Sequence, residues 1–139
     1  MKIGIIGSMH FSEKMIEVAN ELKNIGHEPI LSNFVHTFIG KDDVEKEAIK
    51  IEQKFTGNAM KRDWESMKEA DALLVINLER HGIENYIGGN TLFELAAGYF
   101  SNKKIYLYNP IPDIELYRSE LEAVGPTILY GDVSKISIS

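Results

Sequence analysis

The sequence predicts a doubly wound α/β fold: a five-stranded parallel sheet of the flavodoxin or Rossmann kind, with helices on both faces. Three observations predict it. Short runs that are apolar at nearly every position, such as Ile3-Gly4-Ile5-Ile6 and Ala72-Leu73-Leu74-Val75-Ile76, suit strands covered on both sides, as in parallel sheets. The segments between them carry apolar residues three and four apart, the helical period. Glycines stand at the joints, at Gly7, Gly26 and Gly88-Gly89.

The first strand, 3–6, ends at Gly7-Ser8. From Phe11 onward, Phe11, Met15, Val18, Ala19, Leu22 and Ile25 share one helix face, and Gly26 sits where a helix-ending glycine belongs. Residues 28–33 read as a second strand and complete a β-α-β unit. Residues 41–55 are highly charged, with Val44, Ala48, Ile51 and Phe55 on a single stripe and Asp42 or Asp43 as the cap. Thr56-Gly57-Asn58 breaks that helix. The next spans 59–69, with Met60, Trp64 and Met67 facing inward. Strand 72–76 leads through a loop to a small-residue helix at 91–101, then to strand 104–108. Asn109-Pro110-Ile111-Pro112 is a rigid turn. A short helix near 115–123 and a strand around 127–130 finish the chain. There is no repeat or linker, so 1–139 reads as one domain, long enough for its own core.

Composition excludes several classes. Net charge is −6, from 15 basic and 21 acidic residues, which disfavours nucleic acid polymers and anionic membranes as partners. With no cysteine there is no disulfide framework, thiol nucleophile or thiolate metal site. No apolar run approaches the roughly 18 residues of a membrane span, and Met1 to Gly7 is too short for a signal peptide and carries no cleavage site, so none is expected. A cytoplasmic location is expected. His10, His27, His36 and His81 show no metal-ligand spacing, so neither a metal nor a cofactor is expected. His27 reads as a surface residue in a turn.

In doubly wound sheets, ligands bind beyond the carboxyl ends of the strands, at the switch point. Three segments should meet there: Gly7-Ser8-Met9-His10, the stretch from Asn77 to Asn90, and the stretch from Asn109 to Asp113. Gly88-Gly89-Asn90-Thr91 opens a helix after a buried strand, a layout that turns backbone N–H groups toward an anion. Glu94 has two readings. Thr91 and Glu94 fit a capping box, Thr91 at the N-cap and Glu94 three residues on. Alternatively, Glu94 is a nucleophile or general base at the ligand end of the sheet. Asp63 is either a solvated helix acid or the group that positions or protonates a leaving group. Gly7-Ser8 either binds a phosphate or sugar hydroxyl or simply caps the first helix. It forms neither a dinucleotide fingerprint nor a P-loop. No nucleophile elbow is present.

One combination is specific. An aspartate, Asp63, stands eight residues before Asp71 at the start of a strand. A glycine-rich loop follows, then Glu94-Leu95-Ala96-Ala97-Gly98-Tyr99 in a helix. This resembles the nucleoside 2-deoxyribosyltransferase superfamily, which includes deoxynucleoside 5′-monophosphate N-glycosidases. The match runs over 1–108 and is most specific over 63–108. The resemblance implies a doubly wound sheet and cleavage of an N-glycosidic bond. It implies Glu94 as the nucleophile at the anomeric carbon and Asp63 as the helper of the leaving base. It places Gly7 and Ser8 at the sugar or phosphate, and Gly88, Gly89, Asn90 and Thr91 at a 5′-phosphate; His10, Asn77 and Asn109, in the three segments at the strand ends, are expected to line the same site. A small-molecule nucleoside or nucleotide is the implied partner. A homo-oligomer, a dimer or higher, is also implied. Trp64 and Met67 suit either its interface or the core.

The chain departs from the pattern in three places. The transferase branch carries a tyrosine on strand one, where this chain has only Ile and Gly. The hydrolase branch has an arginine soon after its Gly-Ser, where Met9-His10-Phe11 stands here. The loop 78–87 is longer than usual. The missing tyrosine tells against base exchange and favours hydrolysis, whereas the missing arginine and the longer loop point to a different substrate or to lost activity. They also leave room for a second reading, a nucleotide-binding or sensing module without catalysis. A flavodoxin-like FMN or phospho-acceptor domain is a third and lacks the acidic cluster after strand one. Gly88-Gly89-Asn90-Thr91-Leu92-Phe93-Glu94 also resembles the Gly-Gly-x-Gly-Thr-x-x-Glu of cytokinin-activating phosphoribohydrolases, with Asn90 at a glycine position.

Overall fold

The computed structural model describes residues 1–56 and 58–136; the expected helix break at Gly57 lies outside them. Strands β1 (Lys2–Gly7), β2 (Glu28–Ile30), β3 (Ala72–Ile76), β4 (Lys104–Leu107) and β5 (Thr127–Ile128) form one sheet in the order β2-β1-β3-β4-β5. Every neighbouring pair is parallel. This is the doubly wound order, and its direction reverses between β1 and β3.

Alternation along the strands divides the core into two layers. Ile3, Ile5, Leu74 and Ile76 face one side and pack with Met15, Val18 and Leu22 of α1 (Ser12–Asn24). Ile6, Leu73, Val75, Ile105 and Leu107 face the other. There they meet Met67 of α4 (Ala59–Met67), Leu95 of α5 (Gly89–Phe100) and Leu121 of α6 (Arg118–Val124). The helix α5 lies close against β3: a Cβ on Gly98 would come 2.3 Å from Leu73 Cδ1 and 3.2 Å from its Cγ. Gly98→Val should therefore cost about 1–3 kcal/mol by overpacking. A urea titration reads this as a lower midpoint, and an unchanged midpoint would contradict the close approach.

The edge strands are shorter than the sequence suggests. β2 stops at Ile30 rather than 33; it pairs only with β1 and contains Pro29, which has no N–H to donate. β5 ends at Ile128 rather than 130, because Tyr130 and Gly131 turn the chain with φ of 52° and 77°. The 59–69 helix ends at Met67, the last helix runs 118–124 rather than 115–123, and a short helix α2 (Val35–Phe38) has no counterpart in the periodicity.

The largest departure is α3 (Asp43–Thr56). Asp42 caps it in a reciprocal box: Glu45 N donates to Asp42 Oδ1 at 2.8 Å, and Asp42 N donates to Glu45 Oε1 at 3.1 Å. Its apolar stripe faces solvent, with Val44 79% and Phe55 78% exposed. Charge holds the opposite side to the body. Lys46 is buried and its Nζ donates to Glu13 Oε2 at 2.7 Å and to the His10 carbonyl at 3.2 Å. The buried His10 ring sits between Asp43, with Nδ1 at 3.3 Å, and Glu47, with Nε2 at 3.0 Å. His27 is likewise buried rather than on the surface, its Nδ1 3.5 Å from the N-terminal amine.

Candidate active site

A cavity of about 970 Å³ opens at the reversal point of the sheet, near the upper end of the roughly 300–1,000 Å³ of ordinary ligand pockets. Glu94 and Asp63 both line it, as do Gly7, Ser8 and the whole of Gly88-Gly89-Asn90-Thr91. Sequence positions far apart thus meet on one hollow. Gly7 is required by the close approach of β1 and β3: a Cβ there would lie 2.7 Å from the Ile76 carbonyl oxygen.

The capping box expected at Thr91 and Glu94 does not form. The helix α5 starts two residues earlier, with Gly88 as N-cap, so Thr91 is its third residue and Glu94 its sixth. Thr91 is buried. Among the described residues no side chain caps α5, so its first-turn N–H groups are open at the cavity. Glu94 is instead directed to the cavity wall. Burial, and secondarily the charge of Asp63, pushes its carboxyl up to about 8. Asp63 is no solvated acid either. Burial raises its carboxyl, while a hydrogen bond from Ser32 and the nearby Arg62 guanidinium act in the opposite direction. Two carboxyls that repel each other in one hollow hold a proton between them near neutral pH.

Three expected ligand residues lie elsewhere. His10 is occupied with α3, as described above, although Ser8 Oγ accepts from its backbone N–H at 3.3 Å. Asn77 and Asn109 tie the ends of β3 and β4 together. Asn77 Nδ2 donates to the Asn109 and Pro110 carbonyls at 2.9 and 3.0 Å, and Asn77 Oδ1 accepts from Asn109 N at 2.9 Å. Their amides are used within the protein. The Asn109–Asp113 segment is accordingly not part of the lining, and the wall expected from it is supplied by residues from 34 to 65.

That wall holds residues the sequence reading did not select. Phe34, Met60 and Trp64 give it apolar and aromatic surface, and Lys54 and Lys61 give it charge. Of the stripe expected to face inward, Met67 is buried in the core, Trp64 packs against the core and also borders the cavity, and Met60 lines the cavity. On the opposite side, the long 78–87 loop is ordered by an Arg80–Ile83 bridge across a two-residue turn, His81-Gly82, both with positive φ. Arg80 reaches back to Asp43 at 3.8 Å and Glu47 at 3.6 Å. Tyr86 lines the cavity and packs edge-on against His81. Among the described residues, no group of three or more His, Asp or Glu is arranged to hold a metal ion. No helix among them is long and apolar enough to cross a membrane.

Fold and site together define a doubly wound α/β protein with a two-carboxyl ligand cavity at its switch point. No family model matches the sequence, and no curated protein matches it. Among solved structures, the chain is similar to a 2-deoxyribosyltransferase from the psychrotolerant bacterium Bacillus psychrosaccharolyticus. The identity is 18%, 77% of this chain and 71% of that chain are covered, and the TM-score is 0.48.

Proposed function

We propose that this protein cleaves the N-glycosidic bond of a nucleoside or nucleoside 5′-monophosphate, with Glu94 as nucleophile and Asp63 as the acid that serves the leaving base. The observation that carries this reading is the convergence of Glu94, Asp63 and the uncapped start of α5 on one cavity. In the reactive form Asp63 holds the proton and Glu94 is ionised. A Glu94 carboxylate oxygen bonds to C1′ as the C1′–N bond breaks. The bonding pair leaves with the base nitrogen, which takes the proton from Asp63. Water or a second base then attacks C1′ while giving up a proton to the Asp63 carboxylate, and the C1′–ester bond breaks, returning Glu94 as a carboxylate and Asp63 as the acid. The first-turn N–H groups of α5 hold a phosphate and so fix the sugar against Glu94. Phe34 and Trp64 offer apolar surface to a base.

The departures on strand one favour water as the acceptor, and a transferase would use the same two carboxyls. Chromatography of free base from ribo- and deoxyribonucleosides and their 5′-monophosphates, with and without a second base, tests both. Release from one subset is expected. Saturable binding without any release would instead establish the non-catalytic binding module. That second reading is favoured by the burial of Glu94, which pushes its carboxyl up to about 8 and makes it a weaker nucleophile at neutral pH.

The reading includes a homo-oligomer. The outward stripe of α3, with Val44, Ile51 and Phe55 exposed, is apolar along its length. Two copies packed along this stripe would bury it. Light scattering on the purified protein should give at least twice the chain mass of 15.7 kDa, and a Phe55→Lys variant should approach the monomer. A monomeric parent protein would contradict this part of the proposal.

A further inference from the structure

Ser32 lies just past β2, on no element that the candidate chemistry uses, yet it is buried and in contact with Asp63. Its hydroxyl oxygen accepts from the backbone N–H of Phe34 at 3.1 Å, and its O–H donates to Asp63 Oδ1 at 2.5 Å. The accepted bond turns the hydroxyl hydrogen away from Phe34 N and toward Asp63. A hydrogen bond donated to a carboxylate stabilises its charged form. The geometry points to Ser32 as the positioning residue that decides which of the two cavity carboxyls holds their shared proton, keeping Asp63 ionised and Glu94 protonated while the site is empty. The inference rests on the Glu94–Asp63 pairing of the proposed function but not on the reaction.

Burial raises both carboxyls, and the neighbouring groups then set them apart. Arg62 on α4 also favours the charged form of Asp63. On α5, Glu94 is raised first by burial and then by the charge on Asp63. The remaining charges along the cavity pair largely with each other. Glu47 of α3 meets His10, Lys50 and Arg80, which leaves Lys54 of α3, Lys61 and Glu65 of α4, and His81 and Tyr86 of the 78–87 loop as the other titratable groups facing the hollow. None of these donates to Asp63, so Ser32 is its hydrogen-bond donor within the site.

A consequence for function follows. The resting nucleophile is masked, because the proton must pass from Glu94 to Asp63 or to the leaving base before Glu94 can attack. Losing the Ser32 donor shifts the balance toward protonated Asp63 and ionised Glu94.

The test is a site-resolved titration of the free protein by carbon NMR with labelled Asp and Glu side chains, assigned with Glu94→Gln and Asp63→Asn. In the parent protein the high-pH step belongs to Glu94 and the low-pH step to Asp63. In Ser32→Ala the low-pH step should move up by about one unit, the size expected for one hydrogen bond to a charged group. Asp63 should also take a share of the high-pH step. Ser32→Thr should restore the parent pattern. Ser32→Cys, close in volume and a weaker donor, should fall between, and it serves if the alanine variant does not fold. Unmoved steps in the folded Ala and Cys variants would overturn the assignment. Because no substrate is present, a protein that releases no base can still pass this test, and an active glycosidase can fail it.

Discussion

Glu94→Gln should lower base release by about 10³-fold or more while leaving the fold and nucleotide binding in place. The amide cannot form the glycosyl ester, so the step at C1′ is lost rather than slowed by a poorer base. Binding should survive because Gln matches the neutral carboxyl that the empty cavity already holds, and because the first turn of α5 remains open. The measurement is base release over an extended time course, beside calorimetric binding of the same nucleotide. Turnover within tenfold of the parent protein would remove Glu94 from the nucleophile's role. Loss of binding together with turnover would make it a binding residue.

The second large effect is on pH. The folded protein keeps a proton on Glu94 up to about pH 8, whereas the unfolded chain releases it near 4.5. The stabilisation that this proton gives is complete below pH 4.5 and is lost as the pH rises through about 8. Asp63, also raised, acts with the same sign. Glu94→Gln should therefore be the more stable protein at pH 8.5, by on the order of 2–4 kcal/mol, and the two should converge near pH 4.5. Denaturant titrations across that range measure it. Activity should fall above about pH 8 for a related reason: the carboxyl pair then loses its last proton and none is left for the departing base. A variant no more stable than the parent at pH 8.5 would contradict the raised carboxyl. Such a gain in stability at the expense of activity is the usual mark of a functional group held in an unfavourable setting.

The central strands were legible because burial on both faces leaves almost no polar residue in them, as at Ile3–Ile6 and Ala72–Ile76. The edges were less so. Pro29 and the Tyr130-Gly131 turn end pairing for reasons of hydrogen bonding and backbone angle that apolar patterning does not register. The helix α3 shows a sharper limit. Periodicity finds the stripe Val44, Ala48, Ile51 and Phe55, yet it carries no information on which side the core lies, and here the charged side is the docked one.

At the site, Glu94, Asp63 and the glycine-rich opening of α5 were read from their local order. The capping box was misplaced because Thr91-Leu92-Phe93-Glu94 has the right spacing, while the preceding Gly88-Gly89 allows an earlier start. His10, Asn77 and Asn109 were chosen for standing at strand ends, which is also where a protein fastens its strands and its loops. Ser32 was invisible in the sequence because its partner is 31 residues away. Such a contact is made by the fold, and nothing in Leu31-Ser32-Asn33 announces it.

The most direct test of the account is to trap the glycosyl ester. The protein would be mixed with the deoxynucleoside 5′-monophosphate from which it releases base, quenched in acid within the first turnover, and analysed by mass spectrometry of the intact chain and its peptides. The account predicts one added glycosyl phosphate per chain, on the peptide that contains Glu94, and none in Glu94→Gln. Base release with no adduct, or with the adduct on another residue, would contradict it.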